Sequence, residues 1–139
     1  MTVAVYMVPP VDIPKFWSEC EPIIERSLKH AHGESSILGI RQNLIAGQTQ
    51  LWVVIDDETI IACAVMQIIQ YELKRTYRGL YLAGEDMDKW LGPLDKALER
   101  YARQWGCKEI ELFGRKGWLR KLKNMNYAEG YSMVRRELG

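Results

Sequence analysis

The sequence predicts a single α/β domain over residues 1–139, with a mixed, mostly antiparallel sheet flanked by helices. Three observations carry that expectation. Met87, Trp90, Leu91, Leu94, Ala97, Leu98, Tyr101, Ala102 and Trp105 recur at spacings of three and four, the signature of one apolar helix face. Residues 51–71 instead read as β-branched and aromatic runs, which suit a sheet. Finally, the helix lies between two short strand-like runs, residues 77–83 and 107–113. A strand–helix–strand unit of this length favours a right-handed crossover with its two strands parallel.

Taken in order, residues 2–8 alternate as a strand and stop at Pro9-Pro10. Ile13, Phe16, Trp17, Cys20, Ile23, Ile24 and Leu28 mark a helix that opens near Pro14 and fades at 30–33. Ser35 or Ser36 caps a shorter helix with Ile37, Ile40, Leu44 and Ile45 on one face. Residues 51–56 and 59–71 are strands joined by a hairpin turn at Asp57-Glu58, and a turn near 72–74 leads to the third strand of a meander. At the entrance to the long helix, Glu85, Asp86 and Asp88 place carboxylates against free amides and the positive helix end. Gly106 stops that helix. Residues 116–125 form a short helix with Trp118, Leu119 and Leu122 inward, and 127–138 a closing strand.

The chain is long enough for one substantial core. No apolar run reaches 18 residues and no charged-then-apolar leader pattern occurs, so a cytoplasmic protein is expected, with no membrane partner. Cys20, Cys63 and Cys107 lie in apolar patterns without metal-type spacing and read as core thiols. Residues 1–70 carry four basic and eight acidic side chains, whereas 71–139 carry fifteen and ten, so the second half is the basic one.

This element order resembles the GNAT acetyltransferase superfamily over nearly the whole chain. LWVVIDDETIIACAVMQI is similar to that family's second and third strands, YARQWGCKEIELF to the end of its third helix and its fifth strand, and KGWLRKLKNMNYAEGY to its fourth helix and following strand. Short GNAT-like proteins of phage and prophage gene sets are similar too, which would imply virion association. The resemblance implies acetyl-CoA as acyl donor and an amine as acceptor. In the family an Arg/Gln-x-x-Gly-x-Gly/Ala loop holds the donor's diphosphate through backbone amides. Here the loop reads LAGEDMDKW, keeping Gly84 but lacking the basic residue and second glycine. One reading is a self-capped helix whose carboxylates repel phosphates. The other keeps Leu82, Ala83 and Gly84 as acyl-pantetheine contacts and Asp86, Met87 and Lys89 as the diphosphate loop, with Arg75, Arg78 or Lys89 offsetting the charge.

Many family members protonate the leaving thiolate with a tyrosine five residues before an aromatic that follows a helix-ending glycine. With Tyr127 as that aromatic, Leu122 occupies the acid's position and Asn126 the glycine's. Leu122 cannot donate a proton, which leaves Tyr127 and Tyr131 as nearby hydroxyls. Glu111 and Glu72 are candidate bases for an amine; Glu111 also fits simple outward alternation with Glu109. His30 and His32, followed by Glu34, lack a third ligand by spacing and fit a solvated helix end. Arg115, Lys116, Arg120, Lys121 and Lys123 form an acid-free stretch, extended by Arg135 and Arg136. It reads either as a solvated helix face or as a surface for an acidic protein, with nucleic acid less expected. An inactive scaffold, kept for binding through that basic face or through aromatic surfaces, is the alternative to an enzyme.

Overall fold

The computed structural model describes residues 3–29, 33–113, 116–131 and 133–139. Its elements are β1 (Val3–Val8), a 3-10 turn (Pro10–Asp12), α1 (Ile13–Leu28), α2 (Ile37–Ile45), β2 (Gln50–Asp56), β3 (Thr59–Gln70), β4 (Arg75–Gly84), α3 (Met87–Gln104), β5 (Glu109–Leu112) and α4 (Lys116–Leu122), which runs into a second 3-10 turn (Lys123–Met125). The five strands lie in the order β1-β2-β3-β4-β5. All neighbours are antiparallel except β4 and β5, which are parallel across the α3 crossover. The expected mixed, mostly antiparallel sheet flanked by helices is therefore present.

Alternation along the strands divides the core between two faces. Leu51, Val53, Cys63 and Val65 meet Trp17, Cys20 and Ile24 of α1 and Ile40 and Leu44 of α2. On the other face Trp52, Val54, Ala64, Met66 and Tyr77 meet Trp90, Leu94 and Leu98 of α3 and Leu122 of α4. The β2–β3 hairpin turns on Asp57 and Glu58, both at positive φ (50° and 73°), the twist that matches two-residue hairpins. Ser36 caps α2 by accepting from the amide of Gly39 at 3.0 Å. Cys20 and Cys63 are buried free thiols, and Cys107 is partly buried.

Three expectations are corrected. No strand forms among the described residues of 127–139, where Tyr131, Met133, Val134 and Leu138 are exposed. Their apolar side chains are split between odd and even positions, so no single sheet face would be buried by pairing them. Trp105 is 49% exposed rather than core, its ring lying against that of Tyr101 at 6.0 Å. Ile45 of α2 is likewise exposed, because a nine-residue helix with Ile40 and Leu44 buried has its apolar stripe already filled. His30, His32 and Arg115 lie outside the described residues.

Candidate functional site

β4 is paired to β3 along its whole length but to β5 only from Thr76 to Gly79, opposite Glu109 to Leu112. Beyond that point the outer edge of Leu80 through Gly84 has no strand partner among the described residues, so the two parallel strands open as a fork. A bulge sits at its apex: Val65 faces Tyr81 while Met66 faces Gly79, leaving Leu80 as an extra residue. Close packing fixes both ends of the open edge. A Cβ on Gly79 would lie 2.3 Å from Leu112 Cδ2, and one on Gly84 would lie 2.5 Å from Ala62 Cβ and 2.7 Å from the Ile61 carbonyl. The amide of Glu85 donates to the Ile61 carbonyl at 3.4 Å. Antiparallel alternation then turns the backbone groups of Tyr81 and Ala83 towards β3, and those of Leu82 and Gly84 towards the open edge.

At the apex, on the α1 side of the sheet, Arg78 Nε donates to Glu111 Oε1 at 2.6 Å. Tyr71 donates its hydroxyl to the same oxygen at 3.0 Å and accepts from Arg78. The guanidinium also lies 5.2 Å from the Phe113 ring centre. Burial works against the charge on Arg78, but the bonds to Glu111 and Tyr71 outweigh it and hold its pKa above the ordinary value. Glu111 thus stands at the fork, with one oxygen committed to two donors. Glu72 is exposed in the β3–β4 turn.

The other end of the edge is the loop into α3. Its carboxylates do not cap the helix. Asp86 stands at the cap position in the left-handed conformation (φ 56°, ψ 50°) and makes no side-chain bond to the first turn. The expected self-capping is corrected on that ground, since a capping side chain needs an extended backbone at its own position. Instead Glu85 meets Arg26 of α1 at 3.3 Å, and Asp88 meets Lys121 of α4 at 2.9 Å. Lys89 bonds Asp56 at 2.8 Å, and that bond raises its pKa. Trp90 secures the loop by donating its indole N–H to the Glu85 carbonyl at 2.6 Å. Met87 packs partly buried against the α3-side core.

The cations considered from sequence are therefore already engaged. Arg78 is on Glu111, Lys89 on Asp56, and Arg75 on the Trp105 carbonyl at 2.6 Å. The two that do stand at the loop, Arg26 and Lys121, were missed. Arg26 is 59 residues from Glu85 in the chain and Lys121 is 33 from Asp88, so only the fold joins them. Lys121 is paired with Asp88 yet remains exposed, as are Arg120 and Lys123.

Asn126 takes the left-handed conformation (φ 68°) and Leu122 is buried. Tyr127 donates its hydroxyl to Asp95 of α3 at 2.6 Å. Burial, then the bond to Asp95, raise the pKa of Tyr127; burial also raises that of Asp95. Tyr131 is fully exposed. Beside the loop, Glu25, Arg26, Leu28, Lys29 and Ile37 line an open groove of about 570 Å³ between the end of α1 and the start of α2. Among the described residues no cluster of three His, Cys, Asp or Glu is arranged to hold a metal ion. None of the described helices is long and apolar enough to cross a membrane.

This architecture is that of the GNAT acetyltransferases. Ribosomal-protein-alanine N-acetyltransferase from Brucella melitensis biovar Abortus superposes with a TM-score of 0.72 at 13% identity, over 99% of this chain and 100% of that one. A GNAT family acetyltransferase from Staphylococcus aureus gives 0.67 at 17% identity, over 99% and 100%. A predicted acetyltransferase from Clostridium acetobutylicum, solved with acetyl-CoA, gives 0.69 at 15% identity, over 98% and 96%. At these identities the likeness is one of fold. No protein-family model matches the sequence, and no curated protein sequence matches it.

Proposed function

We propose that this protein is an N-acyltransferase that moves an acetyl group from acetyl-CoA to an amine. The observation that carries the reading is the fork: five residues of β4, from Leu80 to Gly84, present an edge with no strand partner among the described residues, beside a parallel strand that stops at Leu112. An extended pantetheine arm has amide groups able to pair with such an edge as a short strand would. The fold shared with the acetyl-CoA-bound Clostridium protein supports the same reading.

In this arrangement Leu82 and Gly84 offer backbone groups to the arm, with Gly84 towards the diphosphate and Leu82 towards the thioester. Gly84 to Lys89 form the diphosphate loop. Arg26 and Lys121 stand beside Glu85 and Asp88 in exposed pairs, which offset part of its negative charge. Only Asp86 is left without an ion-pair partner among the described residues, and it lies near enough to Lys89 to help keep that ammonium charged.

The amine nitrogen attacks the thioester carbonyl carbon, the C–N bond forms and the C–S bond breaks. Glu111 takes the amine proton through ordered water, using the oxygen that Arg78 and Tyr71 leave uncommitted. The coenzyme departs as a thiolate and is protonated from solvent. A thiolate is a weaker base than an alkoxide (a cysteine thiol has a pKa of about 8.5), so its departure needs less help from an acid, and Leu122 at the usual donor position is tolerable. For Tyr127 to act as that acid, its bond to Asp95 must first open.

Calorimetry with acetyl-CoA tests the proposal. Saturable binding is expected, weakening with added salt because ionic contacts at the loop are screened. Absence of heat and of any thermal shift at millimolar acetyl-CoA would sink it. The scaffold reading rests on an exposed basic stretch alone, of which Lys121 already has a partner in Asp88.

A further inference from the structure

We infer that the groove between α1 and α2 receives the acceptor, and that this acceptor is a primary amine carrying a carboxylate or phosphate read by Arg26 and Lys29. The inference rests on the acetyl-transfer reading above and names its substrate class. Arg26 is the hinge of the argument, because it lines the groove and at the same time touches Glu85, the residue that follows Gly84. The groove is thereby placed at the end of the open β4 edge, on the α1 side. Leu28 and Ile37, which form its apolar floor, pack with Leu80, Tyr81 and Ala83 of that edge on one core cluster.

The lining charges specify the ligand. Arg26 and Lys29 are cations on exposed side chains, and Glu25 is the only acid lining the groove among the described residues. A carboxylate already sits on Arg26, that of Glu85, and it behaves as a stand-in. At 3.3 Å theirs is the longest ion pair among the described residues, and the Glu85 side chain is 78% exposed. An exposed pair of that kind contributes little and is readily exchanged for a ligand anion that adds a contact to Lys29. Once Glu85 is displaced the described lining carries two cations and one acid, which disfavours polyamines and favours an acid-bearing amine.

Length follows as well. From Glu85 back to the proposed thioester position at Leu82 is three strand residues, about 10 Å. The acceptor's acid and its amine are therefore separated by several bonds, which excludes α-amino acids reacting at their own α-amine with the carboxylate on Arg26.

The test is equilibrium binding, followed by NMR shifts or calorimetry, of matched probes to the full chain with and without saturating acetyl-CoA. The probes are 6-aminohexanoate against 6-aminohexanamide, 6-aminohexyl phosphate against 6-aminohexanol, and glycine as the short control. The acid of each pair is expected to bind about fivefold or more tightly than its neutral partner, with glycine weakest. Lys29→Gln should bring each ratio towards one while leaving acetyl-CoA affinity unchanged, and Arg26→Gln should do the same to the ratios. Whichever acid shows the larger ratio identifies the anion as carboxylate or phosphate. Equal binding of acid and neutral probes, no binding of either acid, or ratios that survive both substitutions would overturn the inference while leaving acetyl-CoA binding to stand. Acid-selective binding that depends on Lys29 in a protein that ignores acetyl-CoA would uphold the groove's chemistry and remove the transferase reading.

Discussion

At the apex of the fork Arg78 and Glu111 approach to 2.6 Å with side chains 25% and 31% exposed, and Tyr71 completes the cluster. At its mouth Arg26 and Glu85 are 3.3 Å apart with side chains 45% and 78% exposed. The ion types are the same and the surroundings differ. Partial burial at the apex lowers the local dielectric, so the charges hold one geometry and keep a carboxylate oriented. At the mouth, water competes for both partners and salt screens them, so the pair is easily parted. One end of the β4 edge is thus built to position a group, and the other to exchange one.

The largest effect that would break this comparison comes from the backbone under the mouth. Gly84→Ala places a methyl 2.5 Å from Ala62 Cβ and 2.7 Å from the Ile61 carbonyl, neither of which can move without parting β3 from β4. A loss of about 1–3 kcal/mol is expected in denaturant unfolding, together with loss of acetyl-CoA binding. Gly92→Ala is the control: apart from its chain neighbours its methyl meets nothing within 4 Å, and the gain from replacing a glycine inside α3 is opposed by the following Pro93, so little net change in stability is expected. Equal behaviour of the two variants would show that the close approach at Gly84 is not what shapes the edge.

Next in size is the apex itself. Glu111→Gln keeps an oxygen for Tyr71 but leaves the Arg78 guanidinium without its counter-charge, at about 1 kcal/mol. If Glu111 is the base, kcat falls about 100-fold or more in the same variant. A fall in stability with unchanged turnover would reduce Glu111 to a structural partner of Arg78.

The same contrast explains what was legible in the sequence. The sheet and α3 could be read because their apolar periodicities are local, and the Asp57-Glu58 turn and the Ser36 cap lie within a few residues of what they serve. Glu111 could be singled out as a carboxylate on a strand that lies near the acceptor side of the resembled fold, although simple outward alternation with Glu109 is the plainer reading. Its pairing with Arg78 and Tyr71 joins residues 33 and 40 apart, which no local pattern records. The loop misled in the opposite direction. Three acids at a helix entrance look like caps by propensity, yet Asp86 is left-handed and the flanking acids are drawn to Arg26 and Lys121. The C-terminal segment reads as a closing strand, yet its apolar residues are split between two faces, so nothing local fixes a pairing.

The smallest expected effect sharpens the comparison most. A double-mutant cycle over Arg26→Gln and Glu85→Gln should return a coupling below about 0.5 kcal/mol in unfolding, against about 1 kcal/mol for the parallel cycle over Arg78 and Glu111. Raising the ionic strength should erase the first coupling and leave most of the second, because only the apex pair is shielded from mobile ions. Ligand binding should reverse the order of importance. Glu85→Gln frees Arg26 without touching the fold, so the affinity for an acid-bearing amine should rise in that variant while its unfolding midpoint stays in place. A coupling at the mouth as large as that at the apex, or an unchanged affinity in Glu85→Gln, would mean that Arg26 is a fixed strut between α1 and the α3 loop, and that the mouth is as rigid as the apex.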